Sequence, residues 1–385
     1  MDAARSLICS YSTPTGPYRV ANDRVCWQFD VLFIAPKRNQ LPNQKTTLVA
    51  AELEPRKLLA ALKPFSMPHT GRSIWELLAT LVPFFTVFVV MLMAVDRGYG
   101  AALALAPLAG LLLLRTFIIQ HDCGHGAFFR KRTGNDWTGR ALGVLTFTPY
   151  DCWSRSHTLH HANTGNLDAR GFGDVDTLTV KEFRSLSPTK RLFYRAYRNP
   201  VVLFGLGPAY LFFIRHRLPI GLMTAGSKYW ISAIATNVAT AAVLGWLIFL
   251  FGLVTTALVV IPTLLIAAST GVWLFYIQHQ FENTHWDKRT DWSFHEAALH
   301  GSSYLELAQP LRWFTGNIGI HHVHHLVSRI PFYRLPDVLR AFPELRQLNR
   351  FTMLQTLRPL MLALWDEEER KLVTFREATV RSSGA

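Results

Sequence analysis

Residues 230–277 read WISAIATNVATAAVLGWLIFLFGLVTTALVVIPTLLIAASTGVWLFYI, a run without a single Asp, Glu, Lys or Arg. As one helix it would be about 70 Å long at 1.5 Å per residue, more than twice the roughly 30 Å of a bilayer's hydrocarbon core. The run must fold back on itself, and the turn belongs near Gly252. In a second run, Ile74 to Gln120, charges nearly vanish, and the turn-forming Asp96, Arg97 and Gly98 interrupt it. Together they predict an all-α integral membrane protein with four transmembrane helices in two hairpins, at about residues 75–95, 99–120, 230–251 and 253–277.

Charge sets the orientation. The chain carries 40 Lys and Arg against 26 Asp and Glu, a net +14, and is 50% hydrophobic. The central loop from Gln120 to Tyr229 holds fifteen Lys and Arg, whereas the outer turns hold only Arg97. The positive-inside rule then puts the N-terminus, this loop and the C-terminus in the cytoplasm, and a bacterial inner membrane is the expected home. The basic residues are spread beside membrane spans and accompany no nucleic-acid motif, so no nucleic-acid partner is expected.

Residues 1–50, rich in Pro, Asn and Ser, read as a disordered N-terminal extension without the apolar run of a signal peptide. Residues 51–73 form a pre-membrane segment, 74–367 one membrane domain, and 368–385 a tail. Pro200 to Ile214 is apolar but too short to span, and predicts an interfacial or re-entrant helix with a basic rim. Pro336 to Phe342 and Met353 to Leu372 are expected to be amphipathic helices, the latter exposing the charges of Asp366 to Lys371.

Where the apolar runs end, histidines gather: His121 and His125 in HDCGH, His157, His160 and His161 in HTLHH, and His321, His324 and His325 in HHVHH. With 15 histidines in 385 residues, a chance HxxHH is expected only about 0.02 times. On a helix, residues i, i+3 and i+4 share one face and converge on one point. Adjacent residues diverge by about 100°, so His160 and His161, like His324 and His325, serve two ions more naturally than one. A cytoplasmic helical cap holding a dinuclear metal site is the expectation.

The remaining candidates read more plainly. His69, His216, His295 and His300 have no partner at ligand spacing. His322 points away from His321, which predicts a supporting contact to a ligand rather than ligation. Cys9, Cys26, Cys123 and Cys152 show no paired spacing, and Cys123 is expected to be a packing residue. Asp122, Asp151, Asp174, Asp176, Glu282 and Asn317 are candidates for holding ring nitrogens in one tautomer. Trp153, Trp273, Phe275 and Trp313 are available to line an apolar slot, and Arg115 is expected to snorkel to the interface. The GFGD at Gly171 lacks the strand and helix context of a nucleotide loop.

HDCGH followed by Gly126, HTLHHANTGN, and NIGIHHVHHLVSRIP around four spans resemble the membrane fatty acid desaturase family, most of all its acyl-lipid, omega-6 type members of bacteria and plastids, over roughly Ile74 to Glu367. The resemblance implies a cytoplasmic centre of two iron ions liganded by His121, His125, His157, His160, His161, His321, His324 and His325. It also implies a ninth ligand near the end of the fourth span, where His279 fits and His285 is the rival. The implied reaction is O2-dependent insertion of a double bond into an acyl chain of membrane lipid, at carbon 12 or the omega-6 position, with O2 reduced to water.

Such chemistry suits the residues. An unactivated methylene offers no acidic proton or polar handle, and neutral imidazoles suit redox metals. No flavin or nicotinamide fingerprint is found, so electrons must come from an external donor, ferredoxin or a cytochrome b5-like protein. A membrane di-iron hydroxylase or ketolase acting on a lipid or carotenoid would carry the same boxes. A metal transporter or intramembrane protease would need polar groups at mid-membrane depth, and the spans hold little beyond Asn237.

Overall fold

In the computed structural model, residues 55–171 and 174–380 are described. The expectations for residues 1–50, with Cys9 and Cys26, lie outside them. The fold is mostly helical. Among the described residues, three helices are long and apolar enough to cross a membrane: α1, Thr70–Asp96; α2, Ala106–His125 with the 3-10 turn that precedes it; and a 53-residue run, Ser227–His279. The first two are joined where the sequence placed a turn, with Gly98 at φ 86°.

Within the 53-residue run, Gly252 leaves helical geometry at φ 76° and ψ 162°, values an L side chain would resist. The chain doubles back there. Leu247 and Val259, on either side of the break, pack in one cluster with Met91, Leu92, Ala106 and Ala109 beside the turn of the first hairpin. The other ends of both halves meet one helix, Tyr150–Asn163: the amide of Asp151 donates to Ser232 Oγ (3.1 Å), and His279 faces His160 (3.2 Å). Along the outer faces, Trp75, Leu78, Val82, Ile231, Val238, Phe249 and Val254 are exposed. In water that face would be unfavourable, whereas lipid tails accept it at little cost.

A cap of short elements covers the hairpins' histidine end. It contains the helices Arg132–Leu145, Tyr150–Asn163, Phe294–His300 and His321–Leu326. It also contains short strands that an all-α reading omits. Leu178–Thr179 pairs in parallel with Leu364–Asp366, which pairs antiparallel with Lys371–Val373; Tyr304–Leu305 pairs with Arg350–Phe351. The helix expected over Met353 to Leu372 is therefore two 3-10 turns and a hairpin, with the Asp366 to Lys371 charges at its tip. The hairpin edge is taken by Leu178–Thr179, a partner remote in sequence that helical periodicity does not reveal. By contrast, the helix expected at Pro336 to Phe342 is present as Leu335–Ala341.

Pro200 to Ile214 is a π-turn followed by the short helix Gly207–Phe213, with Val201, Leu206, Tyr210 and Ile214 exposed. Arg115 does not snorkel. It is 1% exposed and pairs with Glu76, itself 2% exposed, while its Nε donates to Thr80 Oγ1 at 3.0 Å. Both partners lie buried between α1 and α2, where Glu76 supplies the carboxylate that a buried guanidinium needs.

Candidate metal centre

Three segments deliver the imidazoles, and each is pinned by backbone contacts. The first box ends α2, where Gly126 at φ 67° closes the helix and lets the chain turn away without a Cβ clash. The second box lies on Tyr150–Asn163, drawn against α2 by Tyr150 Oη donating to the Cys123 carbonyl (2.8 Å) and Ser154 Oγ donating to that of Gly124 (3.2 Å). The third box forms the six-residue helix His321–Leu326. Its first two amides bond the Ser303 carbonyl, and the Ser303 amide in turn bonds the carbonyl of Gln278, next to His279.

All nine expected histidines meet, and they divide in two. His121, His125, His157, His161 and His324 form one group, with ligand atoms within 4.8 Å of one another; His160, His279 and His325 form the second. His321 joins the second group, its Nε2 3.0 Å from that of His279 and 3.1 Å from that of His325. The split falls between His160 and His161 and between His324 and His325, as the divergence of helical neighbours requires. His161 and His325 stack at 4.0 Å where the groups adjoin.

The nitrogens are disposed for cations. His279 Nδ1 donates to the Gly301 carbonyl at 3.4 Å, and His160 Nδ1 lies 2.6 Å from Oδ1 of Asp174, off the line of a straight hydrogen bond. With protons on these Nδ1 atoms, both Nε2 atoms present lone pairs, yet they sit 3.2 Å apart in a buried place. Two lone pairs so close repel unless a positive ion lies between them. Nitrogens bound to one ion at about 2.1 Å and at right angles are about 3.0 Å apart. His125 Nε2 is likewise buried without a hydrogen-bond partner. The nine residues fit two metal ions of the imidazole-preferring kind.

Electrostatics agrees. Burial, then the neighbouring imidazoles, holds His157, His161, His321, His324 and His325 well below the ordinary histidine pKa. They are neutral at physiological pH, the state in which imidazole ligates.

The supporting residues sort clearly. Asp174 serves His160, and Asp122 lies 3.3 Å from His121 Nδ1 while its other oxygen accepts from the Phe332 amide at 2.7 Å. Asp151 is instead bound by Arg140 and Lys228, and Glu282 by Arg358. Among the described residues, Asp176 bonds through its backbone, to Tyr194, Tyr197 and Arg198. Asn317 sits in a left-handed turn, φ 55°, bonding the Phe332 carbonyl, because the helix begins only at His321. His322 donates to the Leu345 carbonyl at 2.9 Å and packs on Tyr304, so it anchors the helix's outer side and supports no ligand imidazole directly. The rival His285 pairs with Asp287 at 2.8 Å, outside both groups. Cys123 is buried among Ile119, Phe128 and Tyr150 as a packing residue.

Aromatic rings wall the centre. Trp153 stacks on His157 at 4.6 Å, Phe117 meets Trp153 edge-on, and Phe275 lies 5.0 Å from His160. Trp273 and Trp313 belong instead to the apolar cluster of Leu112 and Leu274. Two contributors had no signal in the sequence. Phe117 is an ordinary span residue, and Arg198 carries no motif. Yet Arg198, 4% exposed, donates to Thr177 Oγ1, Tyr276 Oη, Gln280 Oε1 and the Leu362 carbonyl, tying the residues around His279 to the central loop and the C-terminal hairpin.

Replacing Asp174 by Asn removes the carboxylate that fixes His160. Loss of such a partner costs metal affinity about 10- to 100-fold. A chelator titration of the metal-loaded protein checks this, and unchanged metal retention would show that Asp174 has no part in the centre.

The fatty acid desaturase family model matches residues 100–356. A fatty acid desaturase of Bacillus subtilis is 40% identical over 321 residues, covering 83% of this chain and 91% of that protein. A Synechocystis protein named sn-1 acyl-lipid omega-3 desaturase (ferredoxin) is 30% identical, covering 63% of this chain and 68% of its own. A second Synechocystis protein, named sn-1 oleoyl-lipid 12-desaturase, is 26% identical, with 59% and 64% covered. With its three histidine boxes drawn into one buried centre at the end of long apolar helices, this chain belongs to the fatty acid desaturase family.

Proposed function

We propose that this protein is an O2-dependent acyl-lipid desaturase in which two iron ions are held by His121, His125, His157, His160, His161, His279, His321, His324 and His325. The observation that carries the reading is the division of these buried imidazoles into two groups, with Nε2 atoms 3.0–3.2 Å apart. When bound, the iron pair supplies oxidising power, drawn from dioxygen, two electrons and two protons, that takes two hydrogens from adjacent methylenes and leaves a double bond and water.

The chain's own residues supply order. Trp153, Phe117 and Phe275 hold an apolar chain against the imidazole faces, and closure of the cap keeps water from the oxidising site. Asp174, Asp122 and the Gly301 carbonyl keep the rings in one tautomer. In this reading the 53-residue run counts as two spans of four, and the centre lies on the cytoplasmic face, which the basic central loop supports. In the same reading residues 74–367 form the membrane domain, flanked by the pre-membrane segment and the tail.

The electron donor in this reading is ferredoxin-like, as relatives' names carry that donor and a basic face suits an acidic partner. The double bond is placed at carbon 12 or the omega-6 position, supported by the sequence resemblance and by a relative named as a 12-desaturase. The test is expression in a bacterium whose lipids are only monounsaturated, followed by gas chromatography and mass spectrometry with double-bond localisation. Loss of two hydrogens at a fixed position is expected. Gain of one oxygen without a new double bond would refute desaturation in favour of hydroxylation.

A further inference from the structure

A cavity of about 690 Å³ opens between the start of α1, the short helix Leu311–Phe314 and the segment 332–340. Six arginines line it, among them Arg72, Arg130, Arg312 and Arg340, against two carboxylates, Glu76 and Asp337. Both carboxylates are already engaged. Glu76 is held by Arg72 and Arg115, and Asp337 by Arg340. Arg130 and Arg312 have no carboxylate partner among the described residues. The cavity is therefore strongly cationic and large enough for a small ligand, within the usual range of about 300–1,000 Å³.

Its position narrows the ligand. Arg72 lies in the first turn of α1, and from it an exposed apolar stripe, Trp75, Leu78, Val82 and Phe85, runs along the helix at intervals of three and four. A cationic pocket at the foot of a lipid-facing stripe fits an anion that carries hydrocarbon chains. One wall is Phe332, whose ring faces the Arg115 guanidinium at 5.1 Å and whose amide bonds Asp122 beside His121. The pocket thus adjoins the metal centre.

We propose that this cavity binds the phosphate headgroup of an acidic glycerophospholipid, with an acyl chain lying along α1. The occupied pocket needs no metal. Naming the bound lipid as the substrate rests on the desaturase reading, but the binding site does not. Phosphatidylcholine, whose ammonium group the arginines repel, should bind more weakly than phosphatidylglycerol, and inorganic phosphate lacks the apolar contact.

The test is native mass spectrometry of the detergent-solubilised full chain titrated separately with phosphatidylglycerol, phosphatidylcholine and inorganic phosphate. Phosphatidylglycerol adducts are expected at about tenfold lower lipid concentration than phosphatidylcholine adducts. The exposed pair of changes Arg130→Gln and Arg312→Gln should weaken phosphatidylglycerol by about tenfold, while Lys288→Gln, on a remote surface, should not. Equal binding of the two lipids, undiminished binding by the double variant, or binding of phosphate alone would each overturn the site. Absence of new double bonds in expressing cells would instead count against the desaturase reading, so the two failures are told apart.

Discussion

His279→Ala is expected to lose about one of two irons per chain and to bring double-bond formation below about a hundredth of the wild-type rate. His279 is the hub of the smaller group: its Nε2 lies 3.2 Å from that of His160 and 3.0 Å from that of His321. Removing it leaves three imidazoles on that side. The five-residue group keeps all its members, so its metal should stay. His324→Ala strikes the other side, where its Nε2 lies 3.2 Å from that of His161. A first-sphere loss should exceed the 10- to 100-fold effect of losing a mere supporting partner. Iron content by plasma mass spectrometry, read beside fatty acid composition, separates the two groups. His285→Ala, which lies outside them, should keep both metal and product. Two irons retained in His279→Ala would sink the assignment.

Glu76→Gln should lower stability by about 3–5 kcal/mol, because it strands a buried guanidinium. Arg115 is 1% exposed, and Glu76 is its carboxylate partner. Replacing both partners with Gln and Met should recover much of the loss, since a well-packed neutral pair avoids the desolvation that the charged pair incurs. Thermal unfolding of the solubilised protein, followed by tryptophan fluorescence, provides the comparison. If the single variant melts with the wild type, the ion pair is not what joins α1 to α2 at this level.

Much of the centre was legible because its signals are local. An i, i+3, i+4 histidine pattern needs only helical geometry to form a face, and the structure realises it in HTLHH on Tyr150–Asn163. The turns at Gly98 and Gly252 were legible for a related reason, since each interrupts an apolar run longer than a bilayer is thick and each adopts positive φ. Asn317 and the Met353 to Leu372 segment misled because periodicity was read through places where the chain turns. Asn317 bends leftward before the helix starts, and Leu364–Asp366 finds its partner at Leu178, nearly two hundred residues away. Arg198 was invisible for the opposite reason: its acceptors on Asp176, Thr177, Tyr276, Gln280 and Leu362 all lie far from it along the chain.

By itself, then, the amino-acid order determined the apolar helices and the eight histidines of the three boxes, because these depend on composition and on spacing within one turn of helix, while His279 came only from the family resemblance. Which imidazoles of the different segments lie together, that Asp174 rather than Asp151 faces His160, and that Arg115 is buried against Glu76 were decided only when remote segments packed together. Coordination and ion pairing act over about 3 Å, a distance that separation along the chain does not encode.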